Sequence, residues 1–225
     1  MIQRLHPLPH PAAAKHLVRL QISSDLTCLF RRMKQRNEAM ITPQGVIAVL
    51  HQAGVRCVLM GTHGIVVWRS EARATQDVDV LVRKKDIAKA VRSLRAAYPQ
   101  LTVSDTPVVT RFIDPATQEA VIDVMKPTQD VFRVVFRHTI AVGETHEIPE
   151  LEMALASKFA AMVSPNRRPD KKHVDIADFI NVVMHNRIEL DLPKLKRLGD
   201  RVYPNGGDEI LQLIADIDAG RNIKI

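Results

Sequence analysis

The segment Gln76-Asp-Val-Asp-Val-Leu-Val82 constrains the fold more than any other stretch of the chain. In an extended strand alternate residues share a face, so Asp77, Asp79 and Leu81 point one way and Val78, Val80 and Val82 the other. One face must be packed in a core. The other carries two neighbouring carboxylates, which repel and raise each other's pKa unless a cation neutralises them. The chain therefore has to build a sheet with this strand inside it and its acidic face open to a metal ion or to basic side chains.

The surrounding pattern supplies that sheet. Thr42-Pro43 reads as an N-cap with proline in the first helical turn, followed by Val46, Ile47, Val49, Leu50 and Ala53 at helical spacing and a stop at Gly54. RCVLM is a short strand, Gly61-Thr62 a turn, GIVVWRS a helix and EARATQ the loop into Asp77. Ile87, Ala90, Val91, Leu94 and Ala97 mark an amphipathic helix. VVTRFI and AVIDVM form a hairpin about DPAT, and the second strand carries Asp123 among apolar neighbours. Past about Val142 the pattern turns helical. Pro149-Glu150 opens one helix through Leu151, Leu155, Phe159 and Met162, SPNRRP breaks it, a second runs from about Lys171 to Met184, and shorter helices follow Pro193. The expected fold class is α/β, a mixed β-sheet flanked by helices with a helical C-terminal region. Its parts are a basic arm over 1–40, of polyproline and turn character before a helical stretch from about Ser24, an α/β core over 41–145 and the helical region over 146–225.

With 225 residues, 46% of them hydrophobic, the chain can bury a core without staples. Cys28 and Cys57 lack metal-ligand spacing and read as reduced thiols of a cytoplasmic protein. The apolar runs are too short to cross a bilayer, so no membrane partner is expected. A net charge of +7 favours polyanions such as nucleotides or nucleic acid, while 4% aromatic content argues against a single-strand stacking module. Basic runs at 31–36, 82–86 and 166–172 each read as a solvated face when taken singly. Trp68 reads as core packing, and His63 as an exposed loop residue.

Asp77, Asp79 and Asp123 converge if their strands are neighbours. Oxygen ligands on a rigid strand suit Mg²⁺ or Mn²⁺, and two such ions roughly 4 Å apart serve in-line displacement at phosphorus. A glycine turn before a helix, Gly61-Thr62, offers amides and a hydroxyl to a triphosphate.

In order and spacing, VLMGTHGIVVWRSEARATQDVDVLV, VIDVMKP and PELEMALASKFAAM followed by RRPDKKHVDIADFINVV resemble the nucleotidyltransferase superfamily that includes DNA polymerase β, in particular its AbiEii-type and related bacterial members, over roughly 42–185. The resemblance implies a nucleotidyltransferase-like sheet and two-metal transfer of a nucleoside monophosphate from an NTP to an acceptor in RNA, protein or a small molecule. It implies that Asp77 and Asp79 bind both metals, Asp123 helps activate the acceptor, and Gly61 and Thr62 hold the triphosphate. Arg73 would neutralise phosphate charge, or else pair with Asp77. Lys158 would reach the nucleotide phosphates, or else snorkel to solvent. Asp175 and Asp178, one turn apart, read as structural partners of Lys171 or Lys172. AbiEii-type membership would bring a toxin–antitoxin or phage-defence setting and an antitoxin partner chain. Thr62 and Gly64 depart from the family pattern, where glycine or serine and alanine are commoner. A non-catalytic nucleotidyltransferase-fold binding or regulatory protein, and a metal-dependent nuclease or sugar transferase, are the competing readings.

Overall fold

In the computed structural model, residues 10–33, 41–221 and 223 are described. Among them the chain forms one seven-stranded mixed sheet, and no helix is long and apolar enough to cross a membrane. The strands are β1 (Cys57–Leu59), β2 (Val78–Val82), β3 (Thr102–Asp105), β4 (Val109–Ile113), β5 (Ala120–Met125), β6 (Thr139–Val142) and β7 (His146–Pro149), in the order β3-β4-β5-β2-β1-β7-β6. The α/β class, the β4–β5 hairpin and the helical C-terminal region are as the sequence pattern predicts.

Helices α1 (Pro11–Met33), α2 (Pro43–Gln52), α3 (Gly61–Ile65), α4 (Ile87–Ala97) and the short α5 (Asp130–Arg133) flank the sheet, and α6 (Leu151–Val163), α7 (Pro169–Asn186), α8 (Leu192–Gly199) and α9 (Gly206–Asp218) close the chain. β2 sits centrally, antiparallel to β1 and parallel to β5, and Val78, Val80, Leu81 and Val82 are all buried. The Thr42 hydroxyl accepts from the Gly45 amide at 3.1 Å, the expected N-cap of α2.

Several elements differ from expectation. β3 is an exposed edge strand of Thr-Val-Ser-Asp, with no apolar alternation to announce it. β6 and β7 form a hairpin where a helical region was expected to begin, turning at Gly143 with φ +56°. α3 ends at Ile65 instead of continuing through Ser70, because the chain beyond it is pinned elsewhere: the Trp68 indole donates to the Pro149 carbonyl at 3.0 Å, and the Ser70 amide donates to Asn181 at 3.0 Å.

The N-terminal segment is the largest departure. Pro11 opens a single 23-residue helix where polyproline and turn structure were expected through HPLPHPAAA; residues 1–9 and 34–40 of that segment lie outside the described residues. This helix packs Ala12, Ala13 and Leu20 into the core but is otherwise largely inverted in polarity. It buries His16, Ser23, Ser24, Thr27 and Arg31 and exposes Val18, Ile22, Leu26, Leu29 and Met33. The polar face is spent on backbone. The Arg19 guanidinium donates to the Arg69 and Ser70 carbonyls, Ser23 Oγ to the Arg73 carbonyl at 2.6 Å, Arg31 to the Gln76 carbonyl, and Thr27 Oγ1 accepts from the Thr75 amide at 3.1 Å. α1 thus grips the loop that enters Asp77.

Candidate active site

The parallel pairing of β2 with β5 sets Asp79 directly opposite Asp123. Asp77 precedes β2 and is held by Thr75, whose hydroxyl donates to its Oδ1 at 3.0 Å. One carboxylate oxygen from each of Asp77, Asp79 and Asp123 lies within 4.8 Å of the others, the convergence that the alternation of the two strands predicts. All three line a cavity of 360 Å³ between the sheet and helices α6 and α7.

The cavity stores electrostatic strain. Burial, then the charges of Asp77 and Asp123, push the Asp79 carboxyl well above the usual carboxylate range, against the opposing pull of Lys158 and Arg167. Burial pushes Asp123 up to about 6, opposed by Arg111 across the β4–β5 pair, whose Nε reaches Asp123 Oδ2 at 3.4 Å. Asp123 Oδ1 is buried with no hydrogen-bond partner among the described residues. A hard divalent cation fits this set: it would satisfy that oxygen and remove the repulsion among three carboxylates.

Gly61 makes the close approach possible. It opens α3 at φ +56°, and a side chain built on it would overlap Asp79 Oδ2. Met60 donates its amide to the Asp79 carbonyl at 2.8 Å, tying the turn to β2. Gly64 has its own reason. A Cβ there would strike the Leu59 carbonyl, so the alanine commoner in the resembled family has no room. Thr62 is buried and lines the cavity beside Gly61.

Arg73 and Lys158 both line the cavity, fixed by an ionic cluster. Asp178 Oδ2 accepts from Arg73 at 2.7 Å and from Lys158 at 2.7 Å, and Arg69 pairs with Asp178 Oδ1. Asp175 Oδ1 accepts from Lys158 at 2.9 Å, and its Oδ2 from Arg167 at 2.8 Å. Burial works to raise the Asp178 pKa, but Lys158 and Arg73 win and hold it at about 2. Arg73 therefore pairs with Asp178, not Asp77. Lys158 is buried and does not snorkel, and Asp175 and Asp178 do not pair with Lys171 or Lys172, because this face of α7 is turned onto α6 and the Arg69–Arg73 loop. Lys171 instead donates to Gln76 at 3.2 Å.

His63 is buried rather than exposed, with Nδ1 at 3.2 Å from Ser23 Oγ. Burial lowers its pKa to about 4, so it is a neutral packing residue at neutral pH. Cys28 and Cys57 are both free thiols.

The structure adds Arg111 and Arg167 to the cavity wall. Arg111 was legible in outline, since VVTRFI places it on the same hairpin face as Asp123. Arg167 was hidden in a basic run that reads as solvated surface. Burial works against the Arg167 charge, but Asp175, Asp79 and Asp77 outweigh it and raise its pKa.

The sequence matches no protein-family model and no curated protein. Among solved structures it is similar to JHP933 from Helicobacter pylori, with TM-score 0.47 and 12% identity over 94% of this chain and 92% of that one. It is also similar to the antibiotic-resistance factor ANT(2'')-Ia, with TM-score 0.46 and 11% identity over 79% of this chain and 93% of that one. Terminal uridylyl transferase 4 from Trypanosoma brucei, solved with bound GTP, has TM-score 0.29 and 15% identity over 82% and 75% of the two chains. At such values the chemistry of this chain has to come from its own residues.

Proposed function

We propose that the chain is a divalent-metal-dependent nucleotidyltransferase that moves a nucleoside monophosphate from an NTP to a hydroxyl or phosphate acceptor. The observation that carries this reading is the carboxylate triad itself: Asp79 on β2, Asp123 on adjoining β5 and Asp77 just before β2, within 4.8 Å, one of them with a buried oxygen lacking any partner among the described residues, beside a turn that tolerates no side chain at Gly61.

Asp77, Asp79 and Asp123 would hold Mg²⁺ or Mn²⁺, which when bound supplies Lewis acidity for the attacking oxygen and for the departing pyrophosphate. The residues do the rest. Gly61 and Thr62 leave room for the triphosphate against β2. Arg73 and Lys158, locked by Asp178 and Asp175, present fixed positive charge to phosphate oxygens without reorganising. Asp123 helps activate the acceptor, and its exposed neighbour Arg111 supports an acceptor approach from that side. The acceptor oxygen bonds to the α-phosphorus, a hydroxyl acceptor giving up its proton to Asp123 and from there to solvent, as the bond to the bridging oxygen breaks and pyrophosphate leaves. An AbiEii-type toxin or defence role with an antitoxin partner, and an RNA or protein acceptor, belong to this proposal and rest on motif order alone.

The test supplies each α-labelled NTP with Mg²⁺ or Mn²⁺, total RNA and cell extract to the wild type and to Asp77→Ala/Asp79→Ala. Label should pass to an acceptor only with the wild type. Transfer that survives the double substitution would overturn the mechanism.

A further inference from the structure

The face of α4 turned away from the sheet carries five cations in a stretch with one acid. Lys84 and Lys85 lie in the 3-10 turn that leads into α4, and Lys89, Arg92 and Arg95 follow on the helix. All five are exposed, while Ala90 and Leu94 bury the opposite side. Lys85, Lys89 and Arg92 are spaced four and three apart, so they form one stripe, with Lys84 and Arg95 beside it.

This arrangement is unfavourable for an isolated helix in two ways. Like charges at such spacings repel, and Lys84 and Lys85 stand at the end where the helix macrodipole is already positive. Among the described residues only Asp86, at the N-cap of α4, offsets it. None of the five side chains forms a hydrogen bond or ion pair with a described residue, whereas most cations around the cavity are paired. Asp86, the single acid between Lys84 and Ala97, makes no side-chain cap bond. The exposed residues beside the cations, Ala88 and Ala96, and half-buried Ser93 are small enough for a rigid surface to approach the helix, and none is aromatic.

We propose that this face docks a nucleic-acid duplex through its phosphodiester backbone. Regularly repeating phosphates relieve both the stripe and the dipole conflict, and the lack of aromatic side chains on the face excludes base stacking as the source of affinity. No α4 residue lines the carboxylate cavity, so the docking stands apart from the proposed transfer chemistry and does not depend on it.

The test measures fluorescence anisotropy of the full chain with a labelled RNA stem and with a DNA duplex across a KCl series. The comparison is between wild type, Lys85→Glu/Lys89→Glu/Arg92→Glu, and Arg133→Glu/Arg137→Glu/Arg197→Glu, which makes the same charge change at exposed sites elsewhere. The wild type should bind one or both duplexes. The α4 triple should lose at least tenfold in affinity at low salt, and its slope of log K against log salt should shrink by about one per residue, roughly three in all. The control triple should keep the wild-type slope, and circular dichroism should show both variants folded. Equal loss in both triples would mean that net charge alone drives binding, and would overturn the proposal. So would failure of the wild type to bind either duplex at 50 mM salt, or α4-dependent binding to phosphatidylserine vesicles without binding to duplex.

Discussion

At the scale of single residues, Gly61 is the most exposed to failure. Alanine there would have to adopt a positive φ, at a cost of about 1–2 kcal/mol, and would overlap Asp79 Oδ2. The expected result for Gly61→Ala is a folded protein with a lowered melting temperature and at least tenfold weaker Mn²⁺ binding by calorimetry; unchanged Mn²⁺ affinity would remove Gly61 from the site. Asp178 fails differently. It is the shared partner of Arg69, Arg73 and Lys158, so Asp178→Ala strands Arg69 and Arg73 in a largely buried place and leaves Lys158 with Asp175 alone. Breaking a buried pair costs about 3–5 kcal/mol, and urea unfolding should register a loss of that order.

At the scale of elements, α1 turns from an appendage into a support. Its hydroxyls hold the backbone of Arg73 and Thr75 just before Asp77. Ser23→Ala/Thr27→Ala removes two such bonds, each worth about 1 kcal/mol, and the effect should appear as Mn²⁺ affinity lowered about three- to tenfold together with a modest drop in melting temperature. A loss of stability with unchanged affinity would show that the loop holds itself. The same helix shows where sequence reading stops. Amphipathic periodicity assumes that apolar residues face inward, which holds for α2 and α4; α1 packs Ala12, Ala13 and Leu20 into the core, but it buries serine, threonine and arginine where a loop backbone lies beneath it. β3 escaped notice because an exposed edge strand needs no alternation. The three carboxylates were legible because β2 and β5 obey strand alternation strictly, and a charge breaking an otherwise buried strand stands out. The partners of Asp175 and Asp178 were not, since spacing along α7 gives the face they share but not the element that meets it.

At the scale of the whole molecule, two groups of buried titratable residues pull stability in opposite directions with pH. His16, His63 and His146 are buried, and burial lowers their pKa values to about 3, 4 and 4. Unfolded histidine takes its proton near 6.5, so the stability these residues contribute is whole above that pH and is lost as pH falls, by about 2 kcal/mol each at pH 5. Asp79 and Asp123 do the reverse. Their folded pKa values are raised, so the folded state binds protons before the unfolded one does, and their contribution grows as pH falls, for Asp123 from about 6 downward. Asp79→Asn/Asp123→Asn removes the opposing pair, and its urea midpoint should fall more steeply from pH 7 to pH 5 than that of the metal-free wild type. A flat profile in the variant would contradict the buried histidines.

The register that sets Asp79 against Asp123 also has a consequence in time. β2 and β5 can pair only after the intervening α4, β3 and β4 have been brought around, so the carboxylates meet late, once long-range topology is in place. We predict that this contact is absent from the folding transition state, so that a bound divalent ion acts on it only afterwards. It should leave the refolding rate unchanged and slow unfolding, so that occupancy of the site lengthens the lifetime of the native molecule instead of hastening its formation.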